Sequence, residues 1–373
     1  MNTPTYQWLD LVRALSAVLV CANHLRAAMF VDYAALPASS LWVKCFYLLT
    51  GLGGQAVVVF FVLSGFFVGG SVLRQGRGFD YARYLLSRLT RLWVVLLPAL
   101  VLTFLVDRAT LAMAPGLLAG QDSAILNSGP ASAYSDSLLT FVQNLLFLQT
   151  VTAPVFGSNG PLWSLANEFW YYLCFPLILM AWDKGRQRWA RALAATLLLL
   201  AVWLVLEDKR LGFCVWIVGA LAYCIPLARP RLALTAALPA FAIALALSKV
   251  HLIGAGLQTL LLGLATAMLI VALRGLAPMG RSCAVATDCL ARSSFTLYLI
   301  HFPLVLLLYA VCFRTRQCVP TLEHCALFGG VLVGLVALAQ VAWMLFERHT
   351  ERIRRWVLLL WERRSRHTYL EQR

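Results

Sequence analysis

The sequence predicts an all-α bundle of transmembrane helices, and two observations carry this prediction. Hydrophobic residues make up 61% of the 373 residues and charged residues only 13%, whereas soluble domains average about 25% charged residues. Apolar runs of about 20 residues, the length that crosses a bilayer core, recur along nearly the whole chain. We therefore expect a multi-pass membrane protein rather than a soluble protein with a single anchor.

The chain has room for about ten spans, each following a separate apolar run. The first run carries Asp10, Arg13 and His24 and lacks a basic segment before it, so we expect a retained helix rather than a signal peptide. The runs lie near residues 8–30, 52–73, 91–110, 162–182, 190–206, 211–227, 231–249, 254–273, 293–313 and 324–346.

The distribution of lysine and arginine predicts how the bundle is oriented. With the N-terminus inside, the inside segments carry 22 of the 31 basic residues and the outside segments carry eight. Basic residues accumulate in cytoplasmic loops, so both termini are expected in the cytoplasm. Because the net charge of +15 is spread over such loops and no basic folded domain is present, a nucleic-acid partner is not expected.

Two regions outside the apolar runs have recognisable compositions. Residues 351–373 follow the expected transmembrane domain (1–350) as a basic tail, for which we predict an amphipathic helix on the anionic lipid surface. The longest outside segment, about 110–160, contains the apolar stretch Leu138–Leu148. This stretch is too short to span a bilayer, so we expect it at the interface or capping the bundle.

The ten cysteines are mostly scattered through apolar runs, where cysteine usually serves as a small packing residue. Cys312, Cys318 and Cys325 flank one predicted outside loop, and a disulfide there is left open because sequence alone does not determine pairing. No metal site is expected, since His324 beside Cys325 lacks further ligands at zinc-site spacing.

Ionisable side chains inside the spans are candidate functional positions, because burying them in lipid is costly. Arg13 and His24 are eleven residues apart on the first span, which predicts one helical face and an axial separation of about 16 Å. Arg13, an anion-binding group, would then lie toward the cytoplasm, and His24, a proton-transfer group, would lie deeper on the same face. Alternatively, Arg13 is an interfacial anchor paired with Asp10, and His24 is a polar group hydrogen-bonded between helices.

Glu168 is the expected partner of His24. It lies about two turns into the fourth span, which enters from the opposite side, so the two residues should have similar depths. A carboxylate there keeps its charge only near a partner, and a Glu168–His24 pair would orient the imidazole. The alternative is a structural ion pair without chemistry.

Arg88 and Arg91 are neighbours on one helical face at the inside mouth of the third span. Guanidinium groups suit phosphate, and with Arg13 on the same side they predict a nucleotide-phosphate site; membrane anchoring is the alternative. His301 on the ninth span is either catalytic or a polar packing residue. Ser64 lies near the end of a glycine-containing apolar segment, residues 53–65. The small residues of this segment are more typical of close helix packing than of a nucleotide-binding loop, and Ser64 is not expected to be a nucleophile.

Five motifs, in the same order along residues 6 to about 350, resemble those of the acyltransferase-3 family of membrane-bound O-acyltransferases. They are Arg-x10-His (Arg13 to His24), Phe-Phe-x-Leu-Ser-Gly (Phe60 to Gly65), Arg-x-x-Arg (Arg88 and Arg91), Trp-Ser-Leu-x-x-Glu-x-x-Tyr (Trp163 to Tyr171) and Tyr-Leu-x-His-x-Pro (Tyr298 to Pro303). Two positions depart from the family pattern. The proline expected soon after Arg-x-x-Arg comes late, at Pro98, and the last span ends in Glu347-Arg348-His349 instead of Glu-x-Pro.

The resemblance implies transfer of an acyl group, commonly acetyl, from cytoplasmic acyl-CoA to a hydroxyl of a cell-envelope or exported glycan at the bacterial inner membrane. His24 would act as general base or carry the acyl group, with Glu168 as its catalytic partner, and the three arginines would hold the CoA phosphates. Further candidate site residues are Asp10, Ser64, Trp163, Ser164, Tyr171, Tyr298 and His301. Many members carry a fused soluble hydrolase-like domain; this chain is expected to act without one, alone or with a separate periplasmic partner.

Two other functions remain open on the residues alone. A transporter or flippase of a glycan or lipid would also have many spans and intramembrane charge, although no internal repeat of the kind common in transporters is detected. In a membrane scaffold, the same polar residues would only pack helices.

Overall fold

The computed structural model describes residues 6–36, 40–118, 134–205, 209–250, 252–313 and 316–371. Residues 119–133 of the predicted outside segment and residues 372–373 of the tail lie outside this description. The helices are α1 (Gln7–Met29), α2 (Leu41–Thr50), α3 (Gly53–Ser64), α4 (Gly70–Gln75), α5 (Tyr81–Met113), α6 (Pro115–Leu118), α7 (Leu138–Leu145), α8 (Leu162–Trp182), α9 (Arg188–Val205), α10 (Arg210–Ala222), α11 (Pro230–Val250), α12 (Ala255–Arg274), α13 (Arg281–Arg292), α14 (Ser294–Cys312), α15 (Leu322–Leu345) and α16 (Thr350–Glu371).

The all-α class is confirmed, since extended pairing in the described part of the chain is limited to isolated bridges such as Phe30 with Cys318. Every predicted span coincides with a helix. Seven helical segments in the described residues are long and apolar enough to cross a membrane. The helix α10 is apolar but short, and α8 and α9 are not among the seven, so the count of ten stays a prediction, as does the orientation.

The helix α1 occupies the centre of the bundle, where it packs against α3, α13 and α14. The helices α1 and α14 run in the same direction, since Arg13 contacts Ala291 just before α14 and His24 contacts His301 within it. We call the end of the bundle where α1 begins the arginine end, because Arg13, Arg88 and Arg91 lie there. The opposite end, which carries residues 134–161, is called the loop end.

The helices α3 and α10 approach each other through glycines, as the sequence predicted for Gly65. A Cβ at Gly65 would lie 1.9 Å from the carbonyl oxygen of Trp216, and one at Gly219 would lie 2.0 Å from that of Val62. Both contacts are with backbone, so no side chain can move aside. The chain then forms a π-helical turn over Gly65–Gly69 before α4 begins; such widened turns often occur next to functional residues.

We therefore expect Gly219→Ala to separate α3 from α10 and destabilise the protein by about 1–3 kcal/mol, as overpacking of a close contact does. The measurement is thermal unfolding of the purified protein in one detergent. Gly54→Ala is the matched control, because nothing lies within 4 Å of a Cβ at that exposed position on α3. Equal unfolding temperatures for the two variants would contradict the close crossing.

The predicted interfacial stretch does more than cap the bundle. The short helix α7 runs along α5 toward the arginine end, because Trp93, two residues beyond Arg91, donates its indole N–H to the Leu145 carbonyl at 2.8 Å. Phe147 then stacks on Phe169 of α8 at 4.3 Å. Non-helical backbone is tolerated at such depth only where protein covers it, and Phe147 and Gln149 are indeed buried. The segment is thus re-entrant, which corrects the expectation.

The re-entrant segment returns to the loop end through a buried polar cluster. Asp107 of α5 accepts hydrogen bonds from the backbone N–H and hydroxyl of Ser158 at 2.7 and 2.6 Å. The Asn159 amide donates to Thr103 at 3.0 Å and to the Leu299 carbonyl at 2.9 Å. These bonds join α5 and α14 to the residues just before α8.

The tail residues from Thr350 to Glu371 form α16, which packs against the first turns of α5. Arg83 pairs with Glu362 at 3.4 Å, and Trp356 points outward with 62% of its surface exposed. Binding of this helix to anionic lipid stays a prediction. All ten cysteines lie within the described ranges and are free thiols, including the three around the loop for which a disulfide was left open.

Candidate active site

A cavity of about 300 Å³ runs between α1, α3, α5, α8 and α14. Arg13, Arg88 and Arg91 line it at the arginine end, where Arg91 is exposed. Ser164 and Tyr298 line its buried inner part. The wall between is largely aromatic and aliphatic, formed by Val57, Phe60, Phe61, Leu63, Phe67, Val68, Leu92, Leu165 and Phe295. The cavity therefore has a cationic mouth and an apolar passage leading inward.

The arginines at the mouth make contacts within the bundle, but some of their guanidinium N–H groups have no hydrogen-bond acceptor among the described residues. Arg13 pairs with Asp10 at 2.9 Å and donates to the Ala291 carbonyl at 3.3 Å. Arg88 donates to the Ser71 hydroxyl at 3.2 Å and lies over the Tyr84 ring. Within the described residues, the Nε atoms of Arg13 and Arg88 are buried without a hydrogen-bond partner. The expected pairing of Arg13 with Asp10 thus coexists with a position on the cavity wall.

Glu168 lies on the cavity wall within a chain of hydrogen bonds. Tyr172, one turn further along α8, donates to the Glu168 carboxylate at 3.0 Å. The Ser64 hydroxyl contacts the Tyr172 hydroxyl at 3.0 Å and accepts from the Trp216 indole at 3.1 Å. Because the single Tyr172 proton goes to Glu168, the Ser64 hydroxyl donates either to Tyr172 or to Glu168, with which it also forms a hydrogen bond. Ser64 therefore links α3 to α8 and α10.

The predicted contact between His24 and Glu168 is wrong in this structure, because each residue has a different partner. His24 Nδ1 lies 2.7 Å from His301 Nε2, and the two rings are parallel within 9°. The sequence placed His24 and Glu168 at one depth, but depth along the membrane normal does not decide which helices are adjacent. Here α14, not α8, packs against α1.

The backbone around His301 determines which imidazole nitrogens carry protons. His301 Nδ1 lies 3.0 Å from the Leu297 carbonyl and 2.9 Å from that of Tyr298. Carbonyls only accept hydrogen bonds, so His301 is protonated on Nδ1 and its Nε2 accepts from His24. His24 is then protonated on Nδ1, which leaves a lone pair on its Nε2. This is the form of imidazole that can take a proton or attack a carbonyl.

The histidine pair lies just beyond the inner end of the cavity. Tyr298, on the cavity wall, precedes His301 by one turn of α14, and the two rings are 6.0 Å apart. The Tyr298 hydroxyl is 2.5 Å from the Ser164 hydroxyl, which closes this end of the passage. His301 is completely buried, whereas His24 is half-buried. A group that passes Tyr298 would therefore reach the histidine pair.

Two predicted candidates, Trp163 and Tyr171, do not line the cavity but pack behind its wall. Trp163 packs edge-on against Phe61. Tyr171 is buried, stacks on Phe213 and donates its hydroxyl to the Lys209 carbonyl at 3.1 Å. Sequence reasoning missed Tyr172, although its spacing of four residues from Glu168 places both on one helical face.

The fold and the cavity define a class of protein: a multi-pass membrane protein whose helices enclose a cationic passage that leads to a histidine pair. A family model described as an acyltransferase domain matches residues 6–343. The chain therefore belongs to the acyltransferase-3 family and is a membrane acyltransferase. Searches of curated proteins and of solved structures gave no match.

Proposed function

We propose that the protein transfers an acyl group, most simply acetyl, from acyl-CoA to a hydroxyl of a cell-envelope or exported glycan in the bacterial inner membrane. One observation carries the proposal. One cavity has at its mouth two arginines, Arg13 and Arg88, whose Nε atoms have no hydrogen-bond partner among the described residues. Its inner end, at Tyr298, lies within one helical turn of the hydrogen-bonded His24–His301 pair. Arginine clusters suit phosphates, and the apolar passage suits a pantetheine arm.

In this proposal the arginine end faces the cytoplasm, where acyl-CoA is found. Arg13, Arg88 and Arg91 bind the phosphates, and the thioester passes Tyr298 toward His24. As a general base, His24 Nε2 takes the proton of the acceptor hydroxyl while the hydroxyl oxygen attacks the thioester carbonyl carbon. The C–S bond then breaks, and the CoA thiolate leaves and takes the proton from His24, which returns to its neutral form. As an acyl carrier, the same Nε2 would first attack the thioester carbonyl carbon and expel the CoA thiolate. The acceptor hydroxyl oxygen would then attack the acyl-imidazole, the C–N bond would break, and the hydroxyl proton would be released.

Glu168 has a different role from the one expected. Its hydrogen bonds are with Tyr172 and Ser64, and it lines the cavity, whereas His24 contacts His301. We propose that it positions Tyr172 and Ser64 along the wall and balances the charge of the arginines, so that the passage accepts the neutral pantetheine arm between the phosphates and the thioester.

The test uses full-length protein in lipid nanodiscs with acetyl-CoA and cell-envelope glycans, with release of the free CoA thiol as the readout. Arg88→Ala should raise the KM for acetyl-CoA about tenfold or more, since hydrogen bonds to charged groups contribute about 1.5–3 kcal/mol. Arg108→Ala on the same helix is the control, because Arg108 is exposed at the loop end beside Asp136. Glycan uptake into vesicles without acyl-CoA, with no thiol release, would favour a transporter instead.

A further inference from the structure

We infer that Arg354 of the C-terminal helix α16 is a further donor-binding residue, which contacts the terminal 3′-phosphate of acyl-CoA outside the cavity. This inference rests on the proposed function and assigns one residue of its donor site. Three observations on described residues support it: the position of α16, the state of the Arg354 side chain, and the size of the cavity.

The helix α16 brings Arg354 to the arginine end. Arg354 Nη1 donates to the Ser87 hydroxyl at 3.3 Å, directly beside Arg88 in the sequence of α5. Arg354 and Arg88 are near enough for their positive charges to repel each other. The chain thus gathers Arg13, Arg88, Arg91 and Arg354 at one end of the bundle, where a phosphate group would relieve the repulsion.

The side chain of Arg354 is held by contacts within the protein, but one of its N–H groups has no hydrogen-bond acceptor among the described residues. Its Nη2 pairs with Glu351 at 2.6 Å, which leaves its Nε buried and, among the described residues, without a hydrogen-bond partner. Arg13 and Arg88 share this feature. A buried N–H without an acceptor is costly, and an anion bound across the arginine end would supply the acceptor.

The size of the cavity indicates which phosphate Arg354 would meet. About 300 Å³ is at the small end of the range for ligand pockets, so much of an acyl-CoA must extend beyond the mouth. In that molecule the thioester and pantetheine come first, the pyrophosphate next, and the 3′-phosphorylated nucleotide last. Arg13, Arg88 and Arg91 line the cavity and would meet the pyrophosphate. Arg354, which is not on the cavity wall but lies beside Arg88, would meet the outermost phosphate.

The experiment compares binding of CoA and of 3′-dephospho-CoA to full-length protein in nanodiscs by titration calorimetry. The variants are Arg354→Ala, Arg354→Lys and, as matched control, Arg355→Ala, which removes the same charge from the next, exposed position of α16. We expect Arg354→Ala to weaken CoA binding about tenfold or more and to leave dephospho-CoA binding unchanged. Arg354→Lys should retain part of the affinity, because it keeps the charge but not the planar fork.

Several results would overturn the inference. Equal losses for CoA and dephospho-CoA would show that Arg354 acts on the fold or on another part of the donor. Equal effects of the substitutions at 354 and 355 would show that Arg354 acts only through the overall positive charge of α16 and not through contact with the 3′-phosphate. If the unsubstituted protein bound neither ligand, acyl-CoA would not be the donor and the proposed function would fail. If the protein bound CoA but the Arg354 variants bound it equally well, only the inference about Arg354 would fail. Thermal unfolding of each variant shows whether α16 remains docked.

Discussion

Acyl transfer is expected to fall by about 10²–10⁴-fold when His24 is replaced by alanine, the range that general acid–base groups contribute. The expectation follows from the protonation state that His301 imposes, which leaves His24 Nε2 as the free base. The KM for acyl-CoA should change little, because Arg13 is about 16 Å away along α1 and Arg88 and Arg91 line the cavity at the same end as Arg13. The measurement is the rate of thiol release together with the mass of the acylated acceptor.

His324→Ala is the matched control for this experiment. His324 is half-buried at the start of α15, outside the cavity lining, and its ring contacts the nearby Val319 carbonyl. Turnover that survives His24→Ala, in protein that unfolds at the usual temperature, would falsify the assignment of His24. A rapid-quench search for acyl groups attached to the enzyme separates the two roles of His24, because only the carrier mechanism gives a covalent intermediate.

Replacing His301 by phenylalanine is expected to reduce kcat by a similar factor, although His301 is a positioning residue. Phenylalanine fills the site of the buried ring but offers no acceptor to His24 Nδ1–H. His24 could then adopt the other tautomer, and loss of tautomer control is worth up to about 10⁴-fold in a serine protease triad. The readouts are kcat and KM for the donor, with binding of CoA as the check that the cavity is intact.

A second substitution separates this role from simple packing. His301→Gln supplies a carbonyl oxygen that can accept from His24, so it should recover part of the activity lost in His301→Phe. The pH dependence of kcat should also shift between the two variants, because the partner of His24 changes. Equal losses in the two variants, with an unchanged pH profile, would indicate that His301 only fills space.

Part of the candidate site could be predicted from the sequence motifs. Arg13, Arg88 and Arg91 were predicted to share one end of the membrane, and they line one cavity. Their grouping could be predicted because helical phase and loop charge depend only on local sequence. The partner of His24 could not be predicted in this way, because it depends on which helix packs against α1. Arg354 was likewise hidden, since its position requires α16 to fold back against α5.

The amino-acid sequence by itself determined that the chain is an apolar helical bundle with a few costly charges, and its ordered motifs indicated the family. These properties follow from composition and from periodicity over short distances. Only the tertiary structure decided that His24 pairs with His301, that Glu168 belongs to a network with Tyr172 and Ser64, and that residues 135–161 re-enter the bundle. The physical reason is that these contacts join residues far apart in the chain, so they form only when the packing of helices against one another selects the neighbours.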